Sequence, residues 1–335
     1  MNQSFHTLKG ITEKLLSPTL DYSNVRNTCA ELAEFFVRIS GFESETRESQ
    51  TPLSVSSGHA ISPAEALLCI TDMMRTWNFI RGMKEAIGDR LSAQNGKPVQ
   101  VFYAGTGPFA ALLTPLITVF SPRELQMVLV EVNPHSLKYL KNTIRALEME
   151  PYVQEILCTD AASFSMPENL QPDILLSETM RPGLEKEPQV NIISALLSQC
   201  KRNPILVPES IRIDLLLTGN LLNDPAAKQF VETLLVLDAR TAIIIRNSPE
   251  QLAVIGKGIR VKFSERPDPV FTTLQLDTTI RVYKEHRLGF NESGITIPKK
   301  MIGLSPDTGY PATLICRYST APQPGFSFAW INDAD

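Results

Sequence analysis

Two glycines in a turn between apolar segments are the first residues of this sequence whose spacing indicates chemistry. In VFYAGTGPFAALL, residues 101–113, Gly105, Gly107 and Ala110 fit the pattern G-x-G-x-x-A. Glycine permits unusual backbone angles and lets a ligand approach the main chain closely. An apolar strand precedes the pattern and a helix is predicted after it, over 109–120, with a bend or a short helix at Pro115, which removes one hydrogen bond. The segment is therefore typical of a nucleotide-binding element.

Acidic side chains follow at the ends of the next predicted strands. Glu131 lies in LQMVLVEVNP, 26 positions after Gly105, where a carboxylate can accept hydrogen bonds from both ribose hydroxyls. Asp160, in CTDAAS, is placed to accept a hydrogen bond from an adenine amino group. Ser177 and Glu178 end the fourth strand, at the edge where such sheets hold substrates. A solvated glutamate at the end of a strand is the alternative interpretation of Glu131.

The glycine pattern and Glu131 fit NAD and S-adenosylmethionine equally well. Hydride transfer requires neither Asp160 nor Glu178, and we find no histidine or tyrosine–lysine pair placed for that chemistry. The sequence therefore favours S-adenosylmethionine, with an NAD-dependent oxidoreductase as the alternative.

Alternating strand and helix patterns place these residues on a parallel sheet with helices on its faces. Strands are predicted over 98–103, 125–132, 153–158, 173–178 and 204–208, and further helices over 134–147 and 187–200. The predicted fold class is α/β: a Rossmann-like, doubly wound, mostly parallel sheet over 97–210, with a helical N-terminal region over 1–96 and a β-rich C-terminal domain over 211–335.

Outside the sheet, local signals predict two helices before it and one after it. The first carries an apolar stripe and ends at Gly41. The second begins with Ser62 and Glu65, a capping-box pair, and is predicted to run on through Ile80. A polar loop is predicted between these two helices, and a helix near 223–236 is predicted within the β-rich tail.

Composition and charge exclude several classes of protein. The formal net charge of −4 argues against a bulk nucleic-acid binder, which carries a basic excess. No apolar run reaches the roughly 20 residues of a membrane-spanning helix, and the first ten residues lack the layout of a signal peptide. The five scattered cysteines predict buried thiols in a reducing cytoplasm, and the four scattered histidines predict no metal site.

The order of these motifs resembles class I S-adenosylmethionine-dependent methyltransferases, and specifically the protein arginine methyltransferases. Residues 72–76, DMMRT, are similar to the family's D-x-x-R-T, and YAGTGP resembles the glycine loop of its symmetric-dimethylating branch. VEVNP is similar to the family's acid followed by Asn-Pro. Glu178 and Glu187 have the nine-residue spacing of its two glutamates. The resemblance covers roughly residues 70–215.

The resemblance implies a role for each matching residue. Arg75 would bind the α-carboxylate of S-adenosylmethionine, and Glu178 and Glu187 would hold a cationic acceptor nitrogen. The other implied cofactor-binding residues are Tyr103, Gly105, Thr106, Gly107, Glu131, Asp160 and Ala161. Family members dimerise through an arm, which implies a homodimer formed through residues 219–236.

Departures from the family keep alternatives open. The family's T-H-W loop is absent, and TTLQLDTTI occupies the region where it is expected. Arg181 and Lys186 lie between the two glutamates, and Glu185 competes with Glu187 as the second acid. Asp72 and Arg75 are alternatively a surface ion pair. The acceptor is therefore a protein or a small molecule, and a non-catalytic cofactor-binding module is the remaining alternative.

Overall fold

The N-terminal part of the chain packs helices against the sheet domain. A computed structural model describes residues 2–94, 96–219, 227–304 and 309–332. The first elements are α1 (Gln3–Leu15), α2 (Tyr22–Ser40), α3 (Arg47–Gln50), β1 (Leu53–Val55), β2 (Gly58–Ala60), α4 (Pro63–Thr71) and α5 (Met73–Ala93). Among the described residues, no helix is both long and apolar enough to cross a membrane.

Five parallel strands form the central sheet, as the alternating pattern predicted. They are β3 (Val99–Ala104), β4 (Leu125–Glu131), β5 (Val153–Cys158), β6 (Ile174–Ser177) and β7 (Ile205–Val207). Their spatial order is β5-β4-β3-β6-β7, so the chain reverses direction across the sheet beside β3. Helices α6 (Pro134–Ala146) and α7 (Gln189–Leu197) connect neighbouring strands. This order brings the carboxyl ends of β3, β4 and β6, and the residues that follow them, to one edge.

The α-helix predicted over 109–120 is wrong, whereas the short helix expected at Pro115 is confirmed. The segment after the glycine pair runs in turns and then forms a 3₁₀ helix at Thr114–Thr118. Pro115 lies within that short helix and supplies no backbone N–H, which limits regular helix here. The Thr114 hydroxyl donates to the Phe109 carbonyl at 2.7 Å and satisfies one carbonyl group left free by the missing helix.

The helix predicted to run from Pro63 through Ile80 is two helices. Ser62 and Glu65 form the capping box at the start of α4, as predicted. Asp72 has an extended backbone, with φ −70° and ψ 90°, and ends α4 while capping α5. The polar loop predicted between α2 and α4 contains the short helix α3 and a hairpin of β1 and β2, which pair antiparallel.

In its described residues, the C-terminal part is built from antiparallel strands and one α-helix. These are β8 (Ser210–Gly219), β9 (Lys228–Asp238), α8 (Ala239–Asn247), β10 (Ile259–Phe263), β11 (Phe271–Tyr283), β12 (His286–Leu288), β13 (Lys299–Gly303), β14 (Ala312–Ser319) and β15 (Gly325–Asn332). One sheet has the order β12-β11-β8-β9, with β13 on β11, and another has the order β10-β14-β15.

The helix predicted near 223–236 is also wrong, because residues 228–238 form the edge strand β9. Main-chain pairing with β8 overrides the helical spacing of the apolar residues. Residues 220–226, which belong to the predicted dimerisation arm, lie outside the described residues.

All five cysteines are free thiols, but they are not all buried. Cys29 and Cys316 are buried, whereas Cys158, the last residue of β5, is exposed. The prediction of a buried thiol was wrong at Cys158 because the end of this strand lies at the open edge of the sheet.

Candidate cofactor and acceptor site

The glycine turn after β3 adopts a conformation that side chains would disrupt. Gly105 and Gly107 both lie in the left-handed region, with φ of +75° and +62°. A Cβ atom on Gly105 would stand 2.2 Å from the methyl carbon of Thr179. The N–H of Gly105 donates to the Val130 carbonyl at 2.9 Å and ties the turn to β4. Both the backbone angle and the contact with Thr179 therefore require glycine at position 105.

Glu131, at the end of β4, is buried against this turn. Its Oε2 accepts a hydrogen bond from the N–H of Gly107 at 2.7 Å, and its Oε1 accepts one from the N–H of Asn133 at 2.8 Å. Burial raises the pKa of Glu131, and these backbone N–H groups oppose that shift. Each carboxylate oxygen has a further lone pair, so the side chain retains acceptor capacity for a ligand.

Asp160 lies two residues beyond β5 and contacts the N-terminal hairpin. Its Oδ1 accepts from the N–H of Ala162 at 2.9 Å, and its Oδ2 accepts from the Ser57 hydroxyl at 2.9 Å. Ala161 beside it is buried. The hairpin thus covers the end of the sheet at which the sequence predicted an adenine contact.

The DMMRT motif is positioned by the break between α4 and α5. The Asp72 carboxylate accepts hydrogen bonds from the Ser293 hydroxyl at 2.6 Å and from the N–H of Gly294 at 2.7 Å. It caps α5 by accepting from the backbone N–H of Arg75 at 3.4 Å. The alternative ion pair between Asp72 and Arg75 is not formed, because the Arg75 guanidinium pairs with Glu178 instead.

Glu178 is a buried acid of the site and is paired with Arg75. Its side chain is 2% exposed, and Nη2 of Arg75, whose side chain is 13% exposed, donates to its Oε2. Its Oε1 is buried and has no hydrogen-bond partner among the described residues. A buried carboxylate oxygen without a donor is costly, so this atom is suited to accept a hydrogen bond from a bound ligand.

Glu185 and Glu187, the two candidates for the second acid of the site, make different contacts. Glu187 is buried, and burial raises its pKa, opposed by the charges of Arg75 and Arg181. Glu185 instead forms an ion pair with Lys299, the first residue of β13. Only Glu187 of the two is directed to the same enclosure as Glu178.

Arg181, whose side chain is 40% exposed, contacts the buried side chain of Glu187. Its Nε donates to Oε1 of Glu187 at 3.0 Å, and its Nη2 donates to Oε1 of Glu65 at 3.4 Å. The positive charge of Arg181 therefore faces these two acids.

The loop that carries Arg181 also contacts the segment TTLQLDTTI, where the family's T-H-W loop was expected. The N–H of Gly183 donates at 2.9 Å to the hydroxyl of Thr278 in that segment.

One cavity brings the predicted residues together. It holds about 980 Å³ of space, counted with the solvent at its mouth. All ten of the site residues named from the sequence line it, and they are Arg75, Tyr103, Gly105, Thr106, Gly107, Glu131, Asp160, Ala161, Glu178 and Glu187. Burial raises the pKa of Tyr103, so its hydroxyl stays protonated.

Sequence reasoning missed the part of the cavity wall that comes from the N-terminal hairpin. Val55, His59, Ala60 and Ile61 all line the cavity. The hairpin is held in place by the N–H of His59, which donates to the Lys186 carbonyl at 2.9 Å. The only available signal was SSGHA, whose small residues suit a tight turn.

Comparison with known proteins yields matches in structure alone. No family model and no curated protein matches the sequence. The crystal structure of PRMT6 matches with a TM-score of 0.53 at 12% identity, covering 80% of this chain and 98% of that chain. This chain has the fold of the protein arginine methyltransferases. The resemblance and the fold class predicted from the motifs are thereby confirmed.

A second solved structure is similar at a lower score. It is the Trypanosoma brucei PRMT1 enzyme–prozyme heterotetrameric complex with AdoHcy. Its TM-score is 0.48 at 10% identity, covering 80% of this chain and 97% of that chain.

Proposed function

We propose that this protein is an S-adenosylmethionine-dependent methyltransferase that acts on a nitrogen nucleophile held by Glu178, together with Glu187. The observation that carries the proposal is the convergence of all ten predicted residues on one cavity, where Glu178 presents a buried oxygen that has no hydrogen-bond partner among the described residues. The likeness in fold to PRMT6 supports the same class of activity. Since fold alone does not determine function, the residues of the cavity carry the argument.

The residues present fit this cofactor. The absence of a Cβ at Gly105 and the left-handed turn let the main chain approach the ribose and methionine portions. Glu131 would accept hydrogen bonds from the ribose hydroxyls, and Asp160 with Ala161 would contact the adenine. Arg75 would bind the carboxylate through the donors that it does not use on Glu178, because a guanidinium carries five N–H groups.

Bound S-adenosylmethionine would supply a methyl group on a positively charged sulfur, with S-adenosylhomocysteine as the leaving group. The acceptor nitrogen would bond through its lone pair to the methyl carbon as the carbon–sulfur bond breaks, and this displacement depends mainly on alignment of the two reacting atoms. In this proposal Glu178 accepts an N–H of the acceptor at Oε1, which orients the nitrogen and stabilises the positive charge that develops on it. Arg75 would hold Glu178 in place while Arg75 itself binds the cofactor. One side chain would thus contact both the cofactor and the acid that binds the acceptor.

One observation favours a second candidate, a small-molecule methyltransferase. Arg181 already binds Glu187, which leaves Glu178 as the acid with an unpartnered oxygen. A small amine held by a single carboxylate suits this arrangement. A guanidinium group held by two carboxylates requires Glu187 to accept a second donor, or to exchange Arg181 for the substrate.

Cofactor binding tests the proposal directly. Isothermal titration calorimetry with S-adenosylmethionine and S-adenosylhomocysteine is expected to show saturable binding, with no binding of NAD at the same concentration. Glu124→Ala is a suitable control variant, which should bind the cofactor as the unmodified protein does. Glu124 is exposed at the other end of β4, and its side chain accepts a hydrogen bond from the N–H of Ser121. NAD binding tighter than that of S-adenosylmethionine would overturn the proposal.

A further inference from the structure

The side chain of Gln189 connects the residues on both sides of Glu178. Its Oε1 accepts from the N–H of Thr179 at 2.8 Å and from the Thr179 hydroxyl at 2.9 Å. Its Nε2 donates to the carbonyl of Ser177 at 2.9 Å. Gln189 is 1% exposed, so these bonds form away from solvent competition.

Only an amide of this length satisfies both partners at once. The Thr179 N–H and the Ser177 carbonyl flank Glu178 where the chain leaves the sheet, and one needs an acceptor while the other needs a donor. Glutamine carries both on one planar group. A methionine has nearly the same shape, yet it leaves a buried N–H and a buried carbonyl without partners.

Gln189 lies where three parts of the site meet. It is the first residue of α7 and lies two positions after Glu187. Thr179, which it holds, also packs its methyl group where a Cβ of Gly105 would lie. The strand end that carries Glu178, the segment that carries Glu187 and the glycine turn are therefore connected through one side chain.

We infer that Gln189 is a positioning residue that fixes Glu178 relative to Glu187 and to the glycine turn. The role given to the two acids rests on the proposed function, whereas the positional effect on Glu178 does not. Gln189 itself is buried behind the strand end, so it acts through the residues that it holds.

Gln199 offers a matched control. It follows α7 and also links main-chain groups, since its Oε1 accepts from the N–H of Met166 at 2.8 Å and its Nε2 donates to the Phe164 carbonyl at 2.9 Å. If a general loss of stability were enough to disturb Glu178, Gln199→Met would disturb it as well.

Carbon-13 NMR of protein labelled at the glutamate carboxyl groups reports on Glu178 without any acceptor. Glu178→Gln and Glu187→Gln assign the two resonances by their disappearance. In Gln189→Met we expect the Glu178 resonance to move, because the carboxylate shifts from its place against Arg75. In Gln199→Met the Glu178 resonance is expected to stay as in the unmodified protein.

Thr179→Val covers the case in which Gln189→Met fails to fold. It keeps a methyl group against Gly105 and removes the hydroxyl, which donates to Gln189 at 2.9 Å and lies 3.4 Å from the Ser177 hydroxyl. We expect a smaller shift of the Glu178 resonance in the same direction. An unchanged Glu178 resonance in every folded variant would overturn the inference. Failure of the unmodified protein to bind S-adenosylmethionine would count against the proposed function alone, since the NMR result is obtained without cofactor.

Discussion

Arg75, in the first turn of α5, donates a hydrogen bond to Glu178, the residue that follows β6, across 103 positions of sequence. Each side chain neutralises the other in a nearly dry environment, where an uncompensated charge costs several kcal/mol. The residue expected to bind the cofactor is thus also the residue that fixes the acid expected to bind the acceptor.

This pairing predicts strong coupling between the two residues. Arg75→Met leaves the Glu178 carboxylate buried without a cation and is expected to destabilise the protein by about 3–5 kcal/mol. Arg75→Met combined with Glu178→Gln is expected to be more stable than Arg75→Met alone. Denaturant unfolding of the four proteins in this cycle measures the coupling, and strictly additive effects would contradict it.

Glu131 is expected to control cofactor affinity. Hydrogen bonds to a charged acceptor contribute about 1.5–3 kcal/mol each, so Glu131→Ala should weaken binding of S-adenosylmethionine at least about tenfold. The measurement is isothermal titration calorimetry on protein whose circular dichroism shows an intact fold. Glu124→Ala provides the comparison, and an affinity within about twofold of the original would exclude the ribose role.

Burial of Glu131 also predicts a pH dependence of stability. Because burial raises the pKa of Glu131 above its ordinary value of 4.5, the folded state binds this proton more tightly than the unfolded state. The contribution of the residue is therefore fully present below pH 4.5 and is lost as pH rises through the folded pKa. Calorimetric melting should show the advantage of the unmodified protein over Glu131→Gln shrinking with pH. A difference that stays constant would refute this.

Gly105 is expected to tolerate no side chain while Thr179 retains its methyl group. Gly105→Ala imposes a left-handed residue, at a cost on the order of 1–3 kcal/mol, and adds the collision with Thr179. Thr179→Ser removes the methyl group and keeps the hydroxyl that binds Gln189. The double variant should therefore regain part of the lost melting temperature. If it regains none, the contact with Thr179 is not the cause.

The grouping of the candidate residues around one cavity was largely predictable, because several of them follow from strand order. Glu131 and Glu178 were found at strand ends, and the carboxyl ends of neighbouring parallel strands meet at one edge. The hairpin over the cavity was not predictable, since its contact between Ser57 and Asp160 joins residues 103 positions apart. Strand β9 was missed for a similar reason, because pairing with β8 outweighs local helical spacing.

Separate substitutions of Glu178 and Glu187 test which kind of acceptor the protein methylates. Suitable probes are a Gly-Arg-Gly peptide, agmatine and spermidine, with transfer of a labelled methyl group from S-adenosylmethionine as the readout. Glu185→Gln is the control. Because Glu185 pairs with Lys299, this substitution is expected to leave turnover nearly unchanged.

Glu178→Gln keeps the shape of the side chain and removes its charge. Cofactor affinity should survive, whereas turnover should fall by about 100-fold or more, since the charge acts on the nitrogen as the new bond forms. Glu187→Gln should show the same loss only if the acceptor is a guanidinium group, which needs a second carboxylate to bind its other nitrogens. With spermidine as acceptor, Glu187→Gln should remain close to the original activity, because Glu178 alone holds an amine. Full activity of Glu178→Gln on every probe that the unmodified protein methylates would remove both candidate functions at this site.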